Sequence, residues 1–171
     1  MLVLHLDNYA QVPPEPLEKT KVEVARIYMA AGVQTVWVDG FGQTGTSGTA
    51  LERLPAAIHA RVLLLSQQMA DMKIMRDGIA ANVLGRASRP TARAYILTNR
   101  ILAVAARRRC ALEPLLSRVI AHEVGHLLLP PRSHSATGIM RKTLDMWAPV
   151  SETFTPVQRQ QMLLALQAPR N

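Results

Sequence analysis

Apolar residues in the first third of the chain follow a pattern typical of alternating strands and helices. Residues 2–6 are almost all apolar, which predicts a first strand. From about residue 15 to residue 31 the apolar positions recur at helical spacing, and Gly32 is a suitable residue to end that helix. Residues 33–38 are rich in β-branched residues and predict a second strand. A strand, a helix and a strand at this spacing predict a βαβ unit with two parallel strands.

Three further strands are predicted in the middle of the chain. Residues 58–65 form an apolar run, and residues 93–101 form another that is rich in β-favouring side chains. Between them, residues 79–84 predict a short strand of small residues because Gly78 and Gly85 bound the segment. The spacing of these strands and of the first two is typical of an α/β domain.

Two helices are predicted in the last third of the chain. The first runs from about residue 113 to residue 129, with Pro114 in its first turn and the acidic Glu113 beside it. Thr155 and Gln158 have the spacing of a capping box, with a proline between them at the first helical position. This pattern predicts a final amphipathic helix that extends to about residue 167.

Length and composition limit the classes of protein that need to be considered. A chain of 171 residues suits one domain with its own core, so we expect a single domain over residues 1–171. No apolar run approaches 18 residues, so the sequence predicts no membrane-spanning segment. Residues 1–7 lack a basic stretch and reach a charge early, which indicates a strand and not a signal peptide. A single cysteine, Cys110, excludes an internal disulfide.

The net charge of +8 is compatible with nucleic acid, an anionic surface or an acidic substrate as a partner. The arginines are scattered along the chain, however, and aromatic residues make up only 4% of it. No nucleic-acid-binding motif is recognisable. The sequence therefore favours a solvated arginine-rich surface over a nucleic-acid-binding site.

A metal site is indicated by the histidines between residues 119 and 140. His122 and His126 are four residues apart, so on a helix they lie on one face and can bind the same Zn²⁺. Glu123 completes the pattern H-E-x-x-H, in which the glutamate acts as general base toward a metal-bound water. Two prolines then end the helix near residue 129, and the chain can turn back to offer His134 as the third ligand.

The third ligand has two alternatives further along the chain. Asp145 and Glu152 are carboxylates that could take the place of His134. Glu152 would correspond to the arrangement in which a downstream glutamate completes a two-histidine zinc site. Either choice leaves one coordination position for water, so we expect one catalytic Zn²⁺ ion.

Residues 119–140 resemble the metzincin clan of zinc endopeptidases, whose pattern is H-E-x-x-H-x-x-G-x-x-H followed by a Met-turn. His122, Glu123 and His126 match that pattern position by position. His134 follows His126 by eight residues where the pattern has six, and Leu-Pro-Pro stands where the pattern has glycine. Residues 135–140 are similar to the Met-turn, which implies that Met140 forms an apolar floor under the metal.

The metzincin resemblance implies a mixed α/β fold. Its mostly parallel twisted sheet would have one antiparallel edge strand and would pack on two main helices, including the active-site helix, with a C-terminal helix in addition. The strand at residues 79–84 would then be the edge strand, where an extended substrate adds by main-chain hydrogen bonds. The residues expected to bind substrate in this way are Ile79, Ala80, Ala81, Asn82, Val83 and Leu84. The resemblance also implies a secreted or periplasmic location.

These observations predict a zinc-dependent endopeptidase in which Glu123 takes a proton from the metal-bound water. We expect a peptide or protein substrate, a monomeric chain, and no membrane partner. One alternative is a metal-dependent endoribonuclease, which the basic charge fits. Such enzymes can carry three histidines in a similar pattern, but with glycine where this chain has Glu123. The other alternative is a non-catalytic zinc-stabilised binding module, against which the spare carboxylate of Glu123 argues.

Overall fold

Four parallel strands and one antiparallel strand form the sheet on which the rest of the chain packs. The computed structural model describes residues 1–40, 57–142 and 153–167. The strands are β1 (Leu2–Asn8), β2 (Thr35–Asp39), β3 (Ile58–Leu64), β4 (Gly85–Ser88) and β5 (Arg93–Ile96). The helices are α1 (Pro14–Met29), α2 (Gln67–Asp77), α3 (Thr98–Arg108), α4 (Leu112–Leu128) and α5 (Pro156–Gln167). A short 3-10 turn, Arg89–Thr91, joins β4 to β5.

The strand order across the sheet is β2-β1-β3-β5-β4. The pairs β1–β2, β1–β3 and β3–β5 are parallel, and β4 pairs with β5 in the antiparallel sense. This arrangement confirms the predicted fold class, a mostly parallel sheet with one antiparallel edge strand. The parallel pairing of β1 with β2 on either side of α1 also agrees with the predicted βαβ unit.

Helix α4 lies at the centre of the core and is apolar on most of its surface. Leu116, Ile120 and Val124 are fully buried along it, as expected for a helix that is covered on several sides. Helix α1 packs beside it, and the buried hydroxyl of Tyr28 donates a hydrogen bond to the carbonyl of Ala121 at 2.8 Å. This contact fixes α4 at the turn that carries the predicted metal ligands.

The predicted strand at residues 79–84 is wrong, because the edge strand β4 begins only at Gly85. Residues 79–84 form an irregular loop that leaves α2 at Gly78, where φ is +60°. Nη1 of Arg100 donates to the carbonyls of Ala80 and Val83, at 2.6 and 2.7 Å, so a side chain and not a neighbouring strand satisfies these carbonyls. The correction applies to Ile79, Ala80, Ala81, Asn82, Val83 and Leu84.

The predicted strand at residues 93–101 is also too long. Strand β5 ends at Ile96, and α3 begins at Thr98. The buried residues of α3 are Thr98, Ile101 and Ala105, which recur at helical spacing. The period of buried positions therefore changes from two residues in β5 to about 3.6 residues in α3. Tertiary packing of this face overrides the β-favouring composition.

The two helices predicted in the last third of the chain are confirmed. Helix α4 covers the predicted range to within one residue at each end. At the start of α5, the Thr155 hydroxyl accepts from the Gln158 N–H at 3.3 Å, and the Gln158 side-chain oxygen accepts from the Thr155 N–H at 3.0 Å. This is the reciprocal capping box that the sequence predicts. None of the helices within the three described ranges combines the length and hydropathy needed to cross a lipid bilayer.

Candidate metal centre

The three predicted histidine ligands converge on one point. Nε2 of His126 lies 3.1 Å from Nε2 of His122 and 3.1 Å from Nε2 of His134, and one ligand nitrogen from each ring lies within 4.8 Å of the others. Nitrogens bound to a tetrahedral Zn²⁺ at about 2.0–2.1 Å are separated by about 3.3 Å. The imidazole nitrogens and their separations therefore fit a single zinc ion.

The loop after α4 delivers His134 in spite of its unusual spacing. The helix ends at Leu128, and Leu129 is extended, with φ −89° and ψ 157°. Two prolines follow, neither of which can donate a helical hydrogen bond. Arg132 then has φ +62°, a left-handed conformation that is uncommon for a residue other than glycine. The loop is two residues longer than in the metzincin pattern, and its turn at Arg132 brings His134 to the face of α4 that carries His122 and His126.

The ring of His122 is oriented by a backbone carbonyl. Its Nδ1 lies 2.8 Å from the carbonyl oxygen of Ile139. Because a carbonyl can only accept, Nδ1 carries the proton and Nε2 presents its lone pair toward the other two rings. On the neighbouring ligand, Nδ1 of His126 lies 3.3 Å from the hydroxyl of Ser133. The two helical ligands are therefore held by contacts from the loop that carries the third.

Gln158 connects this loop to helix α5, a role that the sequence analysis missed. Its buried side-chain NH₂ group donates to the Ser133 carbonyl at 2.9 Å and lies 3.1 Å from the Ser135 hydroxyl. These two serines flank His134 in the sequence. The capping-box pattern gave a signal for Gln158 at the helix start, but no local pattern links it to residues 133–135.

Met140 packs directly against the turn of α4 between the two helical ligands. Its side chain is fully buried, and a Cβ atom placed on Gly125 would lie 2.6 Å from its sulfur and 3.1 Å from Cε1 of Phe154. The turn before it is closed by a 3.0 Å hydrogen bond from the Ser135 N–H to the Met140 carbonyl, and Gly138 has φ +77°. The glycine in the H-E-x-x-H segment thus provides the space that Met140 occupies.

The carboxylate of Glu123 points toward the edge strand β4, and the side chain lines the same cleft as the three histidines. The side chain is buried, and burial raises its pKa to about 7, against the lowering effects of a hydrogen bond from the Ala87 N–H and of the nearby Arg86 charge. A Cβ atom placed on Gly85 would lie 2.6 Å from Cγ of Glu123 and 3.0 Å from its Cδ. Strand β4 can pass this close to the carboxylate because Gly85 has no side chain.

The two helical ligands, His122 and His126, favour the neutral imidazole form. Burial is the main factor that lowers the pKa of His126 to about 4, and the neighbouring His122 and His134 lower it further. Burial also lowers the pKa of His122. Neutral imidazole is the form that binds a metal ion, so burial favours the metal-binding form of these two helical ligands.

A cleft of about 1080 Å³ opens above the cluster. It is lined by the three histidines, Glu123, strand β4 and one face of α3. Four residues of the corrected segment line it as a loop, namely Ala81, Asn82, Val83 and Leu84. Ile79 instead packs in a small apolar cluster with residues of α2.

The two carboxylates considered as alternative ligands, Asp145 and Glu152, lie outside the described residues.

The chain is similar to known proteins in its three-dimensional structure. No protein-family model matches the chain, and no curated protein does. Among solved structures, the chain is similar to the crystal structure of a zinc-dependent peptidase from Methanocorpusculum labreanum, with a TM-score of 0.54 and 15% sequence identity over 95% of this chain and 100% of that one. At this identity the similarity establishes the fold alone. The mixed α/β fold of this chain is one that a zinc-dependent peptidase uses.

Proposed function

We propose that this chain is a zinc-dependent endopeptidase of metzincin type. The observation that carries the proposal is the convergence of three imidazoles beside a buried carboxylate at the floor of an open cleft. His122, His126 and His134 would hold one Zn²⁺, leaving a coordination position for water or substrate. When bound, the zinc ion supplies an activated water and polarises the scissile carbonyl.

Glu123 would act as the general base and then as the general acid. A carboxyl group whose pKa lies near 7 can both accept and return a proton at neutral pH. It would accept a proton from the attacking water and pass that proton to the amine of the departing peptide. The Ala87 N–H holds one side of the carboxylate, so the strand that lines the cleft also orients the base.

Substrate would pair in extended form with β4 and not with residues 79–84, which form a loop. Within the described residues, β4 pairs on one side with β5, and residues 85–87 of the strand line the cleft. An extended peptide that pairs with this edge would gain main-chain hydrogen bonds with little dependence on its sequence. A cleft that accepts an extended chain supports cleavage of internal peptide bonds.

Metzincin membership is supported by the positions of Met140 and His134. Met140 packs under the turn of α4 that carries both helical histidines, as the resemblance implies. The longer loop before His134 departs from the clan pattern, but it still brings the imidazole to the other two. We therefore propose a metzincin-like peptidase with a longer turn before the third ligand.

The decisive variant is Glu123→Gln, with Glu113→Gln on the first turn of the same helix as the matched control. We expect Glu123→Gln to bind one zinc per chain and to lose casein cleavage by about 10²–10⁴-fold, the range of general acid–base catalysis. Glu113→Gln should keep both properties. Cleavage by Glu123→Gln at the wild-type rate would show that the role assigned to Glu123 is wrong.

A further inference from the structure

The cleft above the histidine cluster is strongly basic. Seven cationic side chains line it against one acidic side chain, that of Glu123, among the described residues. In the whole chain, by contrast, Lys and Arg number 20 and Asp and Glu number 12. The positive charge that appeared scattered in the sequence is therefore concentrated at one place by the fold. The cationic residues are Arg86, Arg89, Arg100, Arg107, Arg108, Arg141 and Lys142.

One wall of the cleft is a continuous stripe of α3. Arg100, Ala103, Val104, Arg107 and Arg108 all line it, and their spacing of three, four, seven and eight residues from Arg100 places them on one helical face. Two small apolar side chains occupy the middle of the stripe, with arginines at both ends. Such a wall suits an extended chain whose charged groups are spaced apart.

The other cationic lining residues are Arg86 and Arg89, in β4 and the turn after it, and Arg141 and Lys142, which follow Met140. Nε of Arg89 donates to the carbonyl of His126 at 2.7 Å, which holds this guanidinium beside the metal ligands. Arg100 is likewise held by carbonyls of the loop at residues 79–84. A neutral carbonyl accepts a hydrogen bond without cancelling the guanidinium charge. Two of the seven cations are thus fixed in place and still charged.

We propose that this cleft selects peptides rich in Asp and Glu around the scissile bond. The inference rests on the proposed peptidase function and names its substrate class. A cleft lined by one sign of charge attracts ligands of the opposite sign and raises their association rates by about 10–10³-fold, with a steep dependence on ionic strength. Carboxylates spaced along an extended peptide can meet the arginines of both walls.

An acidic peptide fits the cleft better than a nucleic acid does. Single-stranded nucleic acids bind through basic grooves combined with aromatic side chains on which bases stack. Among the described lining residues, no Phe, Tyr or Trp is present. The apolar part of the α3 wall, Ala103 and Val104, offers no flat ring either.

The experiment compares three peptides of equal length that share the residues at the scissile bond and carry Glu, Gln or Lys at the flanking positions. Wild-type enzyme should cleave the Glu peptide with a kcat/KM at least about 10-fold above that of the Gln peptide at low salt, and high salt should reduce this ratio. The Lys peptide should be the poorest. Equal kcat/KM values for the three would overturn the inference and leave the peptidase function standing. Cleavage of none of them would instead count against the peptidase function.

A charge-matched pair of variants tests whether the cleft is responsible. Arg107→Gln/Lys142→Gln removes two exposed charges from the cleft, and Lys19→Gln/Arg26→Gln removes two from α1. The first pair should lower kcat/KM for the Glu peptide by about 3–10-fold, a larger loss than for the Gln peptide. The second pair should change neither. An equal loss with both pairs would overturn the assignment to the cleft.

Binding to Glu123→Gln provides a readout that does not depend on turnover. By fluorescence anisotropy, the Glu peptide should bind more tightly than the Gln and Lys peptides. A structured RNA of similar charge should bind more weakly than the Glu peptide does. Tighter binding of the RNA, or its chelator-sensitive cleavage by the wild type, would overturn the inference in favour of a nucleic-acid substrate.

Discussion

Replacement of Gly85 by alanine tests how closely strand β4 positions the general base. The new Cβ atom would lie 2.6 Å from Cγ of Glu123 and 3.0 Å from both Cδ and Oε1. Carbon atoms in contact are normally about 3.5–4.0 Å apart, so the Glu123 side chain has to move by roughly 1 Å. A displacement of that size in a catalytic group can cost about 100-fold in rate.

We therefore expect Gly85→Ala to lower kcat/KM by about 100-fold, which corresponds to about 2.7 kcal/mol of transition-state stabilisation. The crowding should also lower the free energy of unfolding by about 1–3 kcal/mol. Zinc content should stay at the wild-type value because no histidine is touched. Peptide cleavage, chemical denaturation and metal analysis of the same preparation measure the three quantities.

Gly78→Ala is the matched control. A Cβ atom on Gly78 meets nothing within 4 Å, but its φ of +60° makes alanine unfavourable by about 1–2 kcal/mol. This variant should lose a similar amount of stability and keep its activity. If Gly85→Ala cleaved peptides as fast as the wild type, the close approach of β4 to the base would have no functional meaning.

Two contacts around the site and one ion pair at the end of α2 give three further predictions. Gln158→Ala should weaken zinc binding by about 10–100-fold in a chelator competition, because it frees the loop that carries the third histidine; unchanged affinity would refute that role. Gly125→Ala and Met140→Ala should be non-additive in the free energy of unfolding by about 0.5–3 kcal/mol, since the new methyl group fills space that Met140 leaves; additive losses would contradict this contact. Hydrogen bonds from Lys73 and Arg76 lower the pKa of Asp77 to about 2, below the ordinary value of 3.8. Its stabilising contribution is therefore present above pH 3.8 and is lost as the pH falls toward 2, so Asp77→Asn should be less stable than the wild type at pH 7 and closer to it at pH 3 in denaturant titrations.

Local sequence patterns were sufficient to predict the parts of the site that are local in the chain. His122 and His126 lie on one face of α4 because a spacing of four places them there on any helix. The capping box at Thr155 and Gln158 is likewise a pattern of neighbouring residues. The parallel pairing of β1 and β2 follows from the strand–helix–strand order, which leaves few alternatives.

Features that depend on distant residues could not be predicted in the same way. The edge strand lies at Gly85–Ser88 because it pairs with β5 and passes over Glu123. Neither contact can be inferred from the composition of residues 79–84. The contacts of Gln158 with the His134 loop span 23 to 25 residues. The basic cleft is built from residues between 86 and 142 that the sequence shows only as scattered charges.

Binding of one zinc ion by three imidazoles can be tested by measuring the zinc content and zinc affinity of His134→Ala. His59→Ala is the control, since His59 contacts His5 on the neighbouring strand and not the cluster. Wild type and His59→Ala should each bind one zinc per chain. His134→Ala should lose affinity by more than about 100-fold, because even the loss of a group that orients a ligand costs 10–100-fold. Full zinc content and unchanged affinity in His134→Ala would show that His134 is not a zinc ligand.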